Sequence, residues 1–112
     1  MKRVSTHILD LMAGRPASNV PVTLYKRENG AWTLLTSSRT DADGRCAQLL
    51  PGDELEAGQY RLVFDTGNYF FAQKVESLYP VVEITFVVRD GERHFHIPLL
   101  LNANGYTTYR GS

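Results

Sequence analysis

Short stretches of strict apolar–polar alternation, separated by turn residues, run the length of the chain. Val20, Val22 and Leu24 lie two apart, as do Tyr60, Leu62 and Phe64, and again Val82, Ile84, Phe86 and Val88. Successive side chains of a strand point to opposite faces, so each set shares one face and asks for burial on that side only. Between them recur Gly14-Arg15-Pro16, Asn29-Gly30, Asp41-Ala42-Asp43-Gly44, Pro51-Gly52, Ala57-Gly58, Thr66-Gly67-Asn68, Asp90-Gly91 and Asn104-Gly105. This is the pattern of an all-β sandwich or barrel. Asn29-Gly30 and Asp90-Gly91 suit two-residue hairpin turns, whose backbone needs positive φ. They predict strand pairs 20–28 with 31–38, and 81–89 with 92–101. Only Tyr69 to Leu78 lacks alternation, and it stops before Pro80, which predicts a short helix. With no repeat, low-complexity stretch or linker, residues 1–112 read as one domain.

Alternation in the last long strand sorts its side chains by task. Phe95, Ile97, Leu99 and Leu101 point into a core, while His94, His96 and Pro98 point outward. Tyr106-Thr107-Thr108-Tyr109 follows, rich in strand formers, and suggests a final segment held in a sheet. It carries Arg110, with its permanently charged planar fork, and Ser112, with a hydroxyl and the terminal carboxylate.

Charge and cysteine content narrow the function classes. Twelve Lys and Arg balance twelve Asp and Glu, with no basic cluster, which excludes nucleic acid and acidic membranes as expected partners. At 112 residues, folding buries only about 65% of the unfolded chain's surface, so association between copies is a natural way to cover more. The single Cys46 forbids an internal disulfide and reads as a small buried apolar residue rather than a nucleophile. Met1-Lys2-Arg3 has the charge of a signal-peptide start, but Ser5, Thr6, His7 and Asp10 interrupt any apolar run. No stretch reaches the length of a membrane span. The expected location is cytoplasmic, or periplasmic if a leader has been removed.

Three histidines and two arginines carry the candidate chemistry: His7 in the first predicted strand, His94 and His96 in the last, Arg45 after the Asp41–Gly44 turn, and Arg110. Hydrolysis of an amide or cyclic ureide needs a base for water, an acid for the departing nitrogen and a cation for the developing oxyanion. Two imidazoles titrating near neutrality and one guanidinium supply all three, provided they converge in space. The bland alternative is that His94-Phe95-His96 is a solvated strand face and Arg45 an ordinary surface residue. A zinc site wants further ligands: His7 is an available third, but no cysteine pair or suitably spaced carboxylate accompanies the histidines. Asp41-Ala42-Asp43-Gly44 has the start of a calcium loop without its later carboxylates and terminal Glu. No metal or other cofactor is expected. Gly-x-Ser-x-Gly, P-loop, dinucleotide and His-Glu-x-x-His signatures are all missing.

In sequence order, Ser5-Thr6-His7-Ile8-Leu9-Asp10, Gly14-Arg15-Pro16-Ala17, Thr40-Asp41 through Asp43-Gly44-Arg45, His94 to Leu101, and Tyr106 to Ser112 resemble the 5-hydroxyisourate hydrolases, the transthyretin-like enzymes of purine catabolism. The closing Tyr109-Arg110-Gly111-Ser112 is the most specific element, since hormone-carrying transthyretins of the same fold lack it. Where relatives often carry Ser-Pro, this chain has Asn102-Ala103-Asn104. The resemblance implies a transthyretin (prealbumin)-like sandwich of two antiparallel four-stranded sheets with one short helix, assembled as a homotetramer, a dimer of dimers. It implies hydrolysis of 5-hydroxyisourate to 2-oxo-4-hydroxy-4-carboxy-5-ureidoimidazoline in a channel between dimers. His7, Arg45, His96 and Ser112 would be catalytic there, and Tyr109, Arg110 and Gly111 would join them in binding substrate. The rival reading is a non-catalytic small-molecule carrier of the transthyretin type. A sandwich that serves only protein contacts ranks third, because it leaves the polar groups unexplained.

Overall fold

The computed structural model describes residues 2–112. The alternating segments form strands β1 (Arg3–Asp10), β2 (Arg15–Pro16), β3 (Pro21–Glu28), β4 (Ala31–Arg39), β5 (Arg45–Cys46), β6 (Gly58–Phe64), β7 (Val82–Val88), β8 (His94–Asn102) and β9 (Gly105–Thr108), with one helix, α1 (Thr66–Ala72). Two sheets face each other. One runs β4-β3-β6-β7; the other runs β2-β1-β8-β9, with β5 paired to β1 beside β2. Val22, Leu24, Tyr60, Leu62 and Phe64 of the first sheet, and Val4, Ile8, Phe95, Ile97, Leu99 and Leu101 of the second, are buried between them. The sandwich is the expected one, and the alternation sorts core from surface as read.

Three details differ from the sequence reading. Asn29-Gly30 closes the β3–β4 hairpin, but Asp90-Gly91 does not join a hydrogen-bonded pair. β7 pairs with β6 and β8 pairs with β1, so the 90–91 turn carries the chain from one sheet to the other. Local turn chemistry dictates a chain reversal, not the partner on its far side. Phe86 and Phe95, on the two strands flanking that turn, meet across the sandwich with ring centroids 5.7 Å apart and their planes tilted by 36°. Secondly, the sheet holding β8 has five strands rather than four, because β5 joins it beside β2, and it is mixed, because β1 and β8 run parallel. Thirdly, the helix begins earlier than expected and covers Thr66-Gly67-Asn68, which composition marks as a turn. The Asp65 carboxylate caps it by accepting from the Asn68 backbone N–H at 3.4 Å. It ends at Ala72, and just beyond the Gln73 cap Lys74 takes a left-handed φ of 60°, with the Lys74 and Val75 amides donating back to the Phe71 and Phe70 carbonyls, both at 3.0 Å.

Two connections hold the site's elements. Tyr69 of α1 donates to the buried Asp10 carboxylate at 2.6 Å, and the same carboxylate accepts from the Met12 and Ala13 amides. That pins the helix and the turn after β1 to one point. The Asp41–Gly44 turn is closed by its own hydrogen bonds. Asp41 Oδ1 accepts from the Asp43 and Arg45 amides at 2.9 and 3.0 Å, and the Gly44 carbonyl accepts from the Ile8 amide at 2.8 Å. Gly44 sits at φ +75°, and a Cβ there would lie 2.5 Å from the Ile8 carbonyl oxygen. Only glycine lets the turn lie this close to β1. Gly44→Ala is therefore expected to lower stability by roughly 1–3 kcal/mol through backbone strain and displacement. Urea unfolding measures this, and an unchanged midpoint would show that the turn gives way at no cost.

Candidate active site

Register alone brings the distant residues together. On the parallel ladder Ser5 lies beside His96 and His7 beside Pro98, while on the other side of β1 His7 pairs with Arg45 of β5. The tail continues the β8–β9 hairpin in the same register, so that Gly111 bridges His96, its amide donating to the His96 carbonyl at 2.8 Å. Arg45, His7, Ser5 and His96 therefore share the sheet face turned away from the core. Strand spacing and rise put the Cα atoms of His7 and His96 roughly 8 Å apart, one strand over and one side-chain repeat along.

A concavity of about 280 Å³ opens on this face, and Arg45, His96, Ser5, Gly111 and Ser112 are among its lining residues, as are Arg3 and His94. No Asp or Glu lines it. His7 is not part of its wall and lies alongside, next to Arg45. Tyr109 and Arg110 are placed elsewhere: they line a second groove of about 290 Å³ with Ile84, Phe86 and Phe95, at the open edge of the sandwich. Arg110 is engaged there, donating to the Glu92 carboxylate at 2.8 Å and the His94 carbonyl at 3.2 Å, with its guanidinium 4.3 Å over the Phe95 ring. That hydrogen bond is the main reason the Glu92 carboxyl is held below the usual carboxylate range. The guanidinium thus acts as a latch that fastens the tail and lays Gly111 and Ser112 against β8.

His96 is the most constrained group of the set. Its Nδ1 is 2.9 Å from the Ser5 hydroxyl. A Cβ on Gly111 would sit 2.5 Å from its Cδ2, so the tail lies directly on the imidazole and only glycine fits between them. Burial pushes the His96 pKa below its ordinary value, and the positive fields of Arg45 and His7 push it the same way. Both effects favour the neutral ring, which can accept a proton. Register places the three groups on one face, with Arg45 paired to His7 and His96 on the next strand. Ser5 is the member that sequence reading missed as a site residue: a serine in a strand signals nothing until its neighbour 91 positions away is known.

Cys46 is buried, and burial pushes its thiol pKa up, which leaves it a core residue. No cluster of three or more His, Cys, Asp or Glu side chains is placed to hold a metal ion among the described residues. None of the described helices is long and apolar enough to cross a membrane.

Known proteins share both the pattern and the architecture. The family model described as HIUase/Transthyretin matches residues 4–111. A 5-hydroxyisourate hydrolase of Salmonella typhimurium is 41% identical over 109 residues, which span 97% of this chain and 80% of that protein. The structure of Klebsiella pneumoniae 5-hydroxyisourate hydrolase superposes with a TM-score of 0.86 at 39% identity, covering 97% of this chain and 98% of the other. Sea bream transthyretin in complex with thyroxine gives a TM-score of 0.91 at 33% identity, covering 96% and 93%. A match over nearly every residue, joined to the same two-sheet architecture, settles the assignment: this chain belongs to the HIUase/Transthyretin family.

Proposed function

We propose that this protein hydrolyses 5-hydroxyisourate to 2-oxo-4-hydroxy-4-carboxy-5-ureidoimidazoline, in urate breakdown. Architecture alone does not choose between hydrolase and carrier, since the carrier's TM-score of 0.91 exceeds the hydrolase's 0.86. The observation that carries the hydrolytic reading is local: an imidazole with a lowered pKa, a second imidazole and a guanidinium share one sheet face, around a concavity lined by no Asp or Glu side chain. A pocket that only holds an aromatic ligand has no use for a proton acceptor kept neutral.

In this reading the substrate's carbonyl-rich heterocycle sits in the concavity with one oxygen toward Arg45. His96, neutral near pH 7, takes a proton from water as the water oxygen bonds to the lactam carbonyl carbon of the six-membered ring. Negative charge builds on the carbonyl oxygen, and Arg45 stabilises it. As the carbon–nitrogen bond breaks, His7 gives a proton to the departing ring nitrogen. Ser112 positions the ring and the water, with Gly111 beside it. Tyr109 and Arg110 serve by holding this tail in place, since the Arg110 fork is already engaged with Glu92.

The concavity faces outward, and a second copy would close it. Exposed Leu11 and Met12 on the turn after β1, with the unpaired edge strands β7 and β9, supply surface for association as a homotetramer. Sedimentation is expected to return a tetramer, and a monomer alone would remove the shared channel. A cytoplasmic location belongs to the same proposal.

The direct test mixes the protein with freshly generated 5-hydroxyisourate and follows its ultraviolet decay against the spontaneous rate. Acceleration is expected, and its absence would favour the carrier. His96→Ala is expected to lower kcat by about a hundredfold or more, the usual worth of a general base. Full turnover by that variant would remove His96 from the mechanism.

Folding stability carries the same signature. Because the folded-state pKa of His96 lies below the ordinary 6.5, the unfolded chain binds the proton more readily. Its contribution is fully present above pH 6.5 and is lost as pH falls through the lowered value. Urea unfolding from about pH 7.5 to about pH 5 should show a decline that His96→Gln reduces. Identical slopes in the two proteins would contradict the burial of a neutral ring.

A further inference from the structure

We propose that Ser5 is a positioning residue for this reaction: its hydroxyl accepts the His96 Nδ1 proton and so fixes the imidazole with its Nε2 lone pair free for water. The inference rests on the base role given to His96 above, and three observations carry it. First, the 2.9 Å Ser5 Oγ to His96 Nδ1 contact is the only hydrogen bond the ring makes among the described residues, which leaves Nε2 without a protein partner. Secondly, the ring cannot swing away. Gly111 lies against its Cδ2 and Cγ, and the tail amide holds the His96 backbone carbonyl at 2.8 Å. Thirdly, Ser5 is itself held by the parallel register that sets it beside His96, and its neighbour Thr6 ties the two strands further by donating to the Ile97 carbonyl at 2.6 Å.

A neutral imidazole carries one proton on two nitrogens, and the partner of one decides the state of the other. A base at Nε2 requires the proton on Nδ1, hence an acceptor at Nδ1. A serine hydroxyl can accept there and remain uncharged. It therefore orients the ring without bringing an acidic side chain into a concavity lined by no Asp or Glu. Alanine at position 5 would leave the ring free to place its proton on Nε2, where it blocks the reaction.

The test has two arms. In substrate-free protein labelled with nitrogen-15 at histidine, with His96 assigned by comparison with His96→Gln, the ring nitrogens should report a protonated Nδ1 and a bare Nε2. Ser5→Ala should abolish that preference. In turnover, Ser5→Ala should lower kcat by roughly tenfold with KM changed far less, as expected when a reacting group loses its orientation rather than its affinity. Ser5→Thr, which keeps the hydroxyl, should restore both. A bare Nδ1 in the unsubstituted protein, or an unchanged kcat in Ser5→Ala, would overturn the proposal. Should the unsubstituted protein not turn over 5-hydroxyisourate, the assigned function falls, while the nitrogen-15 arm still decides whether Ser5 sets the tautomer. If Ser5→Ala fails to fold, the spectra of the unsubstituted and Ser5→Thr proteins decide it.

Discussion

Everything distinctive about this face of the molecule follows from β1 and β8 lying parallel in a single register. Parallel neighbours keep their side chains in phase, so one choice of pairing sets Ser5 beside His96 and His7 beside Pro98 at once. β5 adds Arg45 next to His7, and the returning tail adds Gly111 next to His96. No residue of the group is close in sequence to more than one or two others. The sheet is the only thing that assembles them.

Electrostatics then gives the assembled groups their character. Burial, with the positive fields of Arg45 and His7 beside it, makes a proton on His96 unfavourable, and a lining with no Asp or Glu side chain favours an electron-rich ligand. The acidic side chains nearest the tail are used differently. Glu92 spends its charge on Arg110, outside the concavity, which keeps that guanidinium from joining the pocket and keeps the tail in contact with the imidazole. Fastening and chemistry are thus assigned to different arginines.

Much of this was legible in the chain, and the limits have physical causes. Alternation identified the buried faces of β3, β6, β7 and β8, because a half-buried strand must repeat every two residues. Outward-pointing His96 was legible for the same reason. Asn29-Gly30 marked a true hairpin, whereas Asp90-Gly91, with equally good turn chemistry, marked a crossing between sheets. The difference lies in which strands offer β7 and β8 better partners, and that is a property of the whole fold. The helix start was obscured because Thr66-Gly67-Asn68 has turn composition, though Asp65 provides its cap. Ser5 stayed silent since its significance depends entirely on a partner in β8.

Core and pocket in this sheet are two readings of one odd–even count along β1 and β8. Point substitutions at positions such as 5, 7 or 96 can retune the ligand while leaving the buried neighbours alone. A single-residue insertion or deletion inside either strand would invert the count, turning imidazoles inward and leucines outward together. Evolutionary exploration of new ligands on this scaffold is thereby channelled into residue replacement, with length variation confined to the loops.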